Sequence, residues 1–198
     1  MDSYRTIKKS VGPVLFKEKK SKFYGYVFSV NDEEQVKEQL ELLKKEYPTA
    51  NHVCYAWQIG VEERSYRAND DGEPNNSAGM PIYGQLQSSD ITNVLVAVVR
   101  IFGGTKLGVG GLISAYKETA KLALEEAKIV KKILQRKVSI EFDYPEMDTV
   151  MRLIKKQQLH IISQELHLTC KIEISVPKSE FKNTLTLLKA HHKLTVTP

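Results

Sequence analysis

The stretch NVLVAVVRIFGGTKLGVGGLISAY, residues 93–116, restricts this chain more than any other. Val94 to Val99 is an unbroken apolar run rich in β-branched residues, the pattern of a strand covered on both faces. Five of the eleven glycines then fall within nine residues, at Gly103, Gly104, Gly108, Gly110 and Gly111. From Leu112 to Ala127 the apolar residues recur at helical spacing, with Leu112, Tyr116, Ala120, Ala123 and Ala127 on one stripe. A buried strand, a glycine-rich loop and a helix start bring backbone N–H groups together where an anion can sit. Arg100 stands at the entrance of this loop and Lys106 inside it. Arg100, Gly103, Gly104, Lys106, Gly108, Gly110 and Gly111 are therefore the candidate phosphate- and nucleic-acid-binding residues. A branched side chain at Gly110 is expected to obstruct such a site.

Two common phosphate motifs do not match. Gly103-x-x-x-x-Gly108 is followed by Val109, where a P-loop requires lysine. The Gly108-x-Gly110 run reaches Ile113, where a dinucleotide fingerprint requires a small residue. The competing reading of the glycines is a tight loop in which two backbones pack closely.

Charge is unevenly distributed. The net charge is +5, yet residues 1–30 hold seven Lys/Arg against two Asp/Glu, and residues 31–80 hold five against eleven. Residues 116–140 are again basic, seven against three. Two basic segments brought together in space would attract phosphate. No apolar run approaches the ~20 residues of a membrane helix, and residues 1–14 do not resemble a secretory signal. Cys54 and Cys170 lie far apart without a C-x-x-C pairing, which suits a reducing cytoplasm better than a disulfide framework.

Along the chain, Val11 to Val30 predicts a hairpin turning at Lys19-Lys20-Ser21. Asn31, with Glu34 at the capping-box position, predicts the start of a helix whose stripe is Val36, Leu40, Leu43 and Tyr47. His52 to Ile59 alternates as a strand, with His52, Cys54, Ala56 and Gln58 on one face and Val53, Tyr55, Trp57 and Ile59 on the other. His52 and Cys54 would lie about 6–7 Å apart, beyond direct hydrogen bonding, so Cys54 is expected as a small core residue. Glu62 to Gly79 is expected to be irregular, and loops of that length are often functional. Asp70, Asp71 and Glu73 fit ordinary turn chemistry better than a cation cage, so no metal is assigned. Pro81 to Gln87 predicts a short helix.

From Ile133 the pattern becomes a βαββαβ series: strands over 135–142, 160–168, 169–176 and 194–196, with helices after Pro145 and around Phe181, Leu185 and Leu188. No nucleophile, base and orienting group can be assembled, so no catalytic residue and no cofactor are assigned.

The segments NDDGEPNNSAGMPIY (69–83) and NVLVAVVRIFGGTKLGVGGLISAY, together with HVCYAWQIG (52–60), resemble the signature blocks of the YigZ/IMPACT family. The first block makes Asn69, Asp70, Asp71, Gly72, Glu73, Pro74 and Gly79 a signature loop. The chain departs from the family pattern at Asn75, Asn76, Ser77, Met80, Ile101, Val109 and Ser114. The resemblance implies two α+β domains, 1–133 and 134–198. The first would be ribosomal-protein-like, similar to an elongation-factor tip domain, and the second ferredoxin-like. It also implies an RNA- or ribosome-associated regulator of translation in the cytoplasm, with translation-machinery proteins as further partners. The alternatives are a small hydrolase centred on Gly103–Gly111 and a pure protein-interaction module.

Overall fold

The computed structural model describes residues 2–198. In chain order the elements are β1 (Ser3–Ile7), β2 (Val11–Glu18), β3 (Ser21–Ser29), α1 (Glu33–Glu46), β4 (His52–Ile59), β5 (Ser65–Asn69), α2 (Gly79–Ser88), β6 (Val94–Ile101), α3 (Gly108–Ala127) and β7 (Ile129–Ile133). They continue with β8 (Gln135–Asp143), α4 (Met147–Lys156), β9 (His160–Glu165), β10 (Thr169–Pro177), α5 (Phe181–Lys189) and β11 (Thr195–Thr197). The chain is mixed α and β. It divides into two compact units, Tyr4–Lys132 and Ile133–Pro198, the latter including the residues up to Ser3.

The first unit is built on a five-stranded sheet in the order β2-β3-β6-β4-β5, with every neighbouring pair antiparallel. Its central strand β6 is buried on both faces because helices cover both. On one face Val94, Val96 and Val98 pack with Cys54 and Ala56 against Leu86 of α2 and against Leu112, Tyr116 and Ala120 of α3. On the other, Leu95, Ala97 and Val99 pack with Val53 and Trp57 against Val36 and Leu43 of α1. A continuous apolar strand therefore arises here in an antiparallel sheet, through two helical layers.

Local chemistry moves several boundaries. Lys19 and Lys20 both take positive φ at the tip of the β2–β3 hairpin, as a two-residue turn that follows strand twist requires. The α1 cap is Asp32 rather than Asn31: Asp32 Oδ1 accepts the Gln35 N–H, and Gln35 Oε1 accepts the Asn31 N–H. β5 forms inside the stretch expected to be irregular, because Ser65–Asn69 pairs with Tyr55–Ile59 of β4. α3 begins at Gly108, so Gly108, Gly110 and Gly111 form its first turn and not a loop.

The second unit is a four-stranded sheet in the order β11-β8-β10-β9, again antiparallel throughout. Val138, Ile140 and Phe142 of β8 and Ile172, Ile174 and Val176 of β10 form its core with Val150, Ile154 and Leu188 from α4 and α5.

Candidate functional site

Strand register assembles the site. His52 on β4 pairs with Arg100 on β6, so the start of the 52–60 segment faces the point where the 93–116 block leaves its strand. Beyond this pair Asn51 Oδ1 accepts the Phe102 N–H at 2.9 Å and holds the exit of β6. Gly103 then crosses the β2–β3 hairpin. A Cβ there would lie 2.0 Å from the Lys20 carbonyl carbon, so only glycine allows this approach. The Gly103 N–H donates to Ser21 Oγ at 3.2 Å. This contact brings the exposed Lys19 and Lys20 to the loop that carries the exposed Lys106.

Each part of the signature loop has a fixed structural role. Asn69 Oδ1 accepts the Asp71 N–H. Asp70 Oδ1 accepts the N–H groups of Ala78 and Gly79 at 2.9 and 2.8 Å, and its Oδ2 accepts that of Asn76. It thereby caps α2 from outside, since Ala78 at the cap position has no side-chain acceptor. Asp71 Oδ2 accepts the Val53 N–H at 2.7 Å, and the Asp71 carbonyl accepts from His52 Nδ1 at 2.8 Å. A carbonyl only accepts, so His52 carries a proton on Nδ1, and its Nε2 lies 3.9 Å from Glu73 Oε1. Gly72 takes φ +90°, and a Cβ at Gly79 would lie 2.5 Å from the Asn69 nitrogen. Pro74 receives the Ser77 hydroxyl on its carbonyl. Among the described residues, no group of three His, Cys, Asp or Glu side chains is set to hold a metal ion.

Glu73 is the buried centre of the loop. Its Oε1 accepts from Arg100 Nη1 at 2.6 Å and from Tyr116 Oη at 2.8 Å, and all three residues are buried. The Arg100 guanidinium also lies between two rings, 5.6 Å from the centroid of Phe23 and 5.4 Å from that of Phe102. Arg100 is therefore not a free cation at the loop entrance: the chain uses it to neutralise a buried carboxylate. Its Nε has no hydrogen-bond partner.

Cys54 Sγ lies 3.0 Å from the Asp70 carbonyl oxygen and 3.3 Å from Tyr116 Oη. Burial pushes its thiol far above the ordinary range; the Tyr116 hydrogen bond opposes the shift, while the Glu73, Asp71 and Asp70 charges add to it. Burial also raises the Tyr116 hydroxyl, with Cys54 and Glu73 acting in the same direction. A thiol held protonated is a poor nucleophile. Both groups bind their protons more tightly in the folded chain than in the unfolded one. Their stabilising effect is thus complete below the unfolded values, about 8.5 for Cys and about 10 for Tyr, and is lost as pH rises beyond them. Urea unfolding should show stability falling from about pH 8.5 upward, with a smaller slope in Tyr116→Phe. An identical slope in the two proteins would refute this account.

Above the buried pair lies an open cavity of about 450 Å³, walled by His52, Glu73, Arg100, Phe102, Lys106 and Gly108, among others. Gly103, Gly104, Gly110 and Gly111 are not part of its wall, nor are Asn69, Asp70, Asp71, Gly72 and Gly79, whereas Pro74 is. Gly110 meets nothing within 4 Å where a Cβ would stand, so no protein atom requires glycine there. Sequence patterning missed Asn51, Phe102 and Tyr116. Of these only Phe102 carried a signal, an aromatic residue directly before a glycine pair that ends a buried strand.

The profile of the Impact N-terminal domain matches residues 19–124, which include the hairpin turn, the signature loop and α3 up to Leu124. The IMPACT family member YvyE of Bacillus subtilis is 31% identical over 173 residues, covering 87% of this chain and 78% of that protein. The IMPACT family member YigZ of Escherichia coli is 29% identical over 164 residues, covering 82% and 80%. A crystal structure described as that of a hypothetical protein is 26% identical and superposes with a TM-score of 0.72, covering 99% of this chain and 97% of that one. With a family profile spanning the whole site and a relative matched over most of both chains, this protein belongs to the IMPACT family.

Proposed function

We propose that the protein is an RNA- or ribosome-associated regulator of translation that acts by binding rather than catalysis. The resemblance of its two signature blocks supplies the link to translation. One observation carries the binding mode: Gly103 packs on the backbone of the Lys19–Lys20 turn, so the turn that carries two exposed lysines meets the loop that carries exposed Lys106 and leads into α3. No side chain caps α3, and its first turn holds no acidic residue, so this end presents free N–H groups to phosphate. Lys106, Lys19 and Lys20 take the role that Arg100, engaged with Glu73, does not. The strand orders support a ribosomal-protein-like first domain and a ferredoxin-like second one, with the boundary near residue 133. No helix is long and apolar enough to cross a membrane among the described residues. On β8 and β10 of the second unit Lys137 and Lys171 are matched by Glu141 and Glu173, so this pair of strands gathers less positive charge than the first unit's loop.

The test is binding of total RNA and of ribosomes across a salt series. Lys106→Ala should weaken binding similarly for all sequences and reduce the salt slope by about one unit, as for one lost phosphate contact. Unchanged affinity and slope would remove the loop's phosphate role. That result would favour docking of a protein on Phe102, Val109 and Ile113, which are 41%, 53% and 37% exposed beside the same helix start.

A further inference from the structure

The cavity above the Glu73–Arg100 pair has features that a backbone-phosphate patch does not need. Pro74, Phe102, Leu107, Val109 and Leu112 make most of its wall apolar, and Asn51, His52 and Lys106 supply the polar edge. At about 450 Å³ it has the size and composition of a small-molecule pocket. Two of its polar side chains are held by one end only. Asn51 uses Oδ1 on the Phe102 N–H, which leaves its amide N–H groups unassigned to that contact. His52 is fixed through Nδ1, while its Nε2 lies 3.9 Å from Glu73 Oε1, beyond hydrogen-bond reach. Arg100, 5% exposed, forms part of the wall, and its Nε bonds to nothing.

We propose that this cavity receives a single nucleoside monophosphate unit. Its planar base lies against Phe102 and the apolar wall, with its edge toward Asn51 and His52. Its phosphate lies at Lys106 and the first turn of α3. The inference rests on the phosphate role of Lys106 and adds to it a base-sized receptor. The unit is either a free nucleotide or the unpaired terminal residue of an RNA, since both present the same chemistry.

Isothermal titration with 5′-AMP and 5′-UMP tests this, with adenosine and inorganic phosphate as half-ligands. The whole nucleotides should bind at least about tenfold more tightly than either half, because stacking and phosphate contacts act together. Phe102→Ala should weaken AMP binding about tenfold, the scale of one lost base–aromatic stack, and leave the salt slope for ribosome binding unchanged. Because Phe102 also covers Arg100, Val109→Glu provides a second variant. Val109 is 53% exposed in the first turn of α3, where an added carboxylate favours the helix but repels phosphate. It should abolish AMP binding with the fold intact. Competition of AMP by a 5′-phosphorylated oligonucleotide, but not by its 5′-hydroxyl form, would identify the source as an RNA end. Failure to compete would identify a free nucleotide. Absence of AMP binding at about 1 mM overturns the receptor, as does AMP binding that neither variant alters. Continued Lys106-dependent RNA binding in either case would leave the function proposed above standing.

Discussion

Truncating Glu73 to alanine should destabilise the first unit by about 3–5 kcal/mol, the loss typical when one partner of a buried ion pair is removed. Glu73 is 8% exposed and Arg100 5%, and a 2.6 Å contact joins them. Without the carboxylate, Arg100 keeps its charge in a low-dielectric wall between two aromatic rings, and Tyr116 loses the acceptor of its hydroxyl. Arg100→Ala should be comparably damaging, because it leaves Glu73 as the unpaired charge. The double variant Glu73→Leu with Arg100→Met should recover much of the loss, since apolar side chains of similar volume carry no desolvation penalty. Urea denaturation of the four proteins reads this directly. A loss below about 1 kcal/mol in Glu73→Ala would place the pair in the energetic class of surface bridges and refute its buried role.

Gly103→Ala should cost about 3 kcal/mol, the upper end for overpacking, and should also weaken RNA binding. The added Cβ would meet the Lys20 carbonyl carbon at 2.0 Å and the Ser21 nitrogen at 2.4 Å, both backbone atoms of a tight turn that cannot swing aside as a side chain would. The hairpin tip would have to move, carrying Lys19 and Lys20 away from Lys106. Gly110→Ala should behave oppositely. Its Cβ meets nothing within 4 Å, and its place inside α3 predicts a gain of about 0.5–1 kcal/mol from reduced chain entropy. Thermal unfolding and RNA binding of both variants provide the contrast. Equal loss at the two glycines would mean that the hairpin approach is not what Gly103 serves.

Features that depend on short-range periodicity were legible in the chain itself. The run Val94–Val99 declared a strand covered on both faces, the alternation over His52–Ile59 separated Cys54 from Val53 correctly, and the α3 stripe from Leu112 to Ala127 is buried as its spacing required. The signature blocks also carried the family. Properties set by contacts between distant residues were not legible. Arg100 looked like a phosphate ligand because sequence shows its charge but not Glu73, 27 residues away, folded onto it. Asp70 and Asp71 looked like generic turn residues, yet one caps α2 and the other holds β4, and both roles depend on where the loop lands. Five clustered glycines were equivalent in the sequence. Tertiary structure made them unequal, because another backbone arrives at Gly103 and excludes a Cβ, whereas space is open at Gly110.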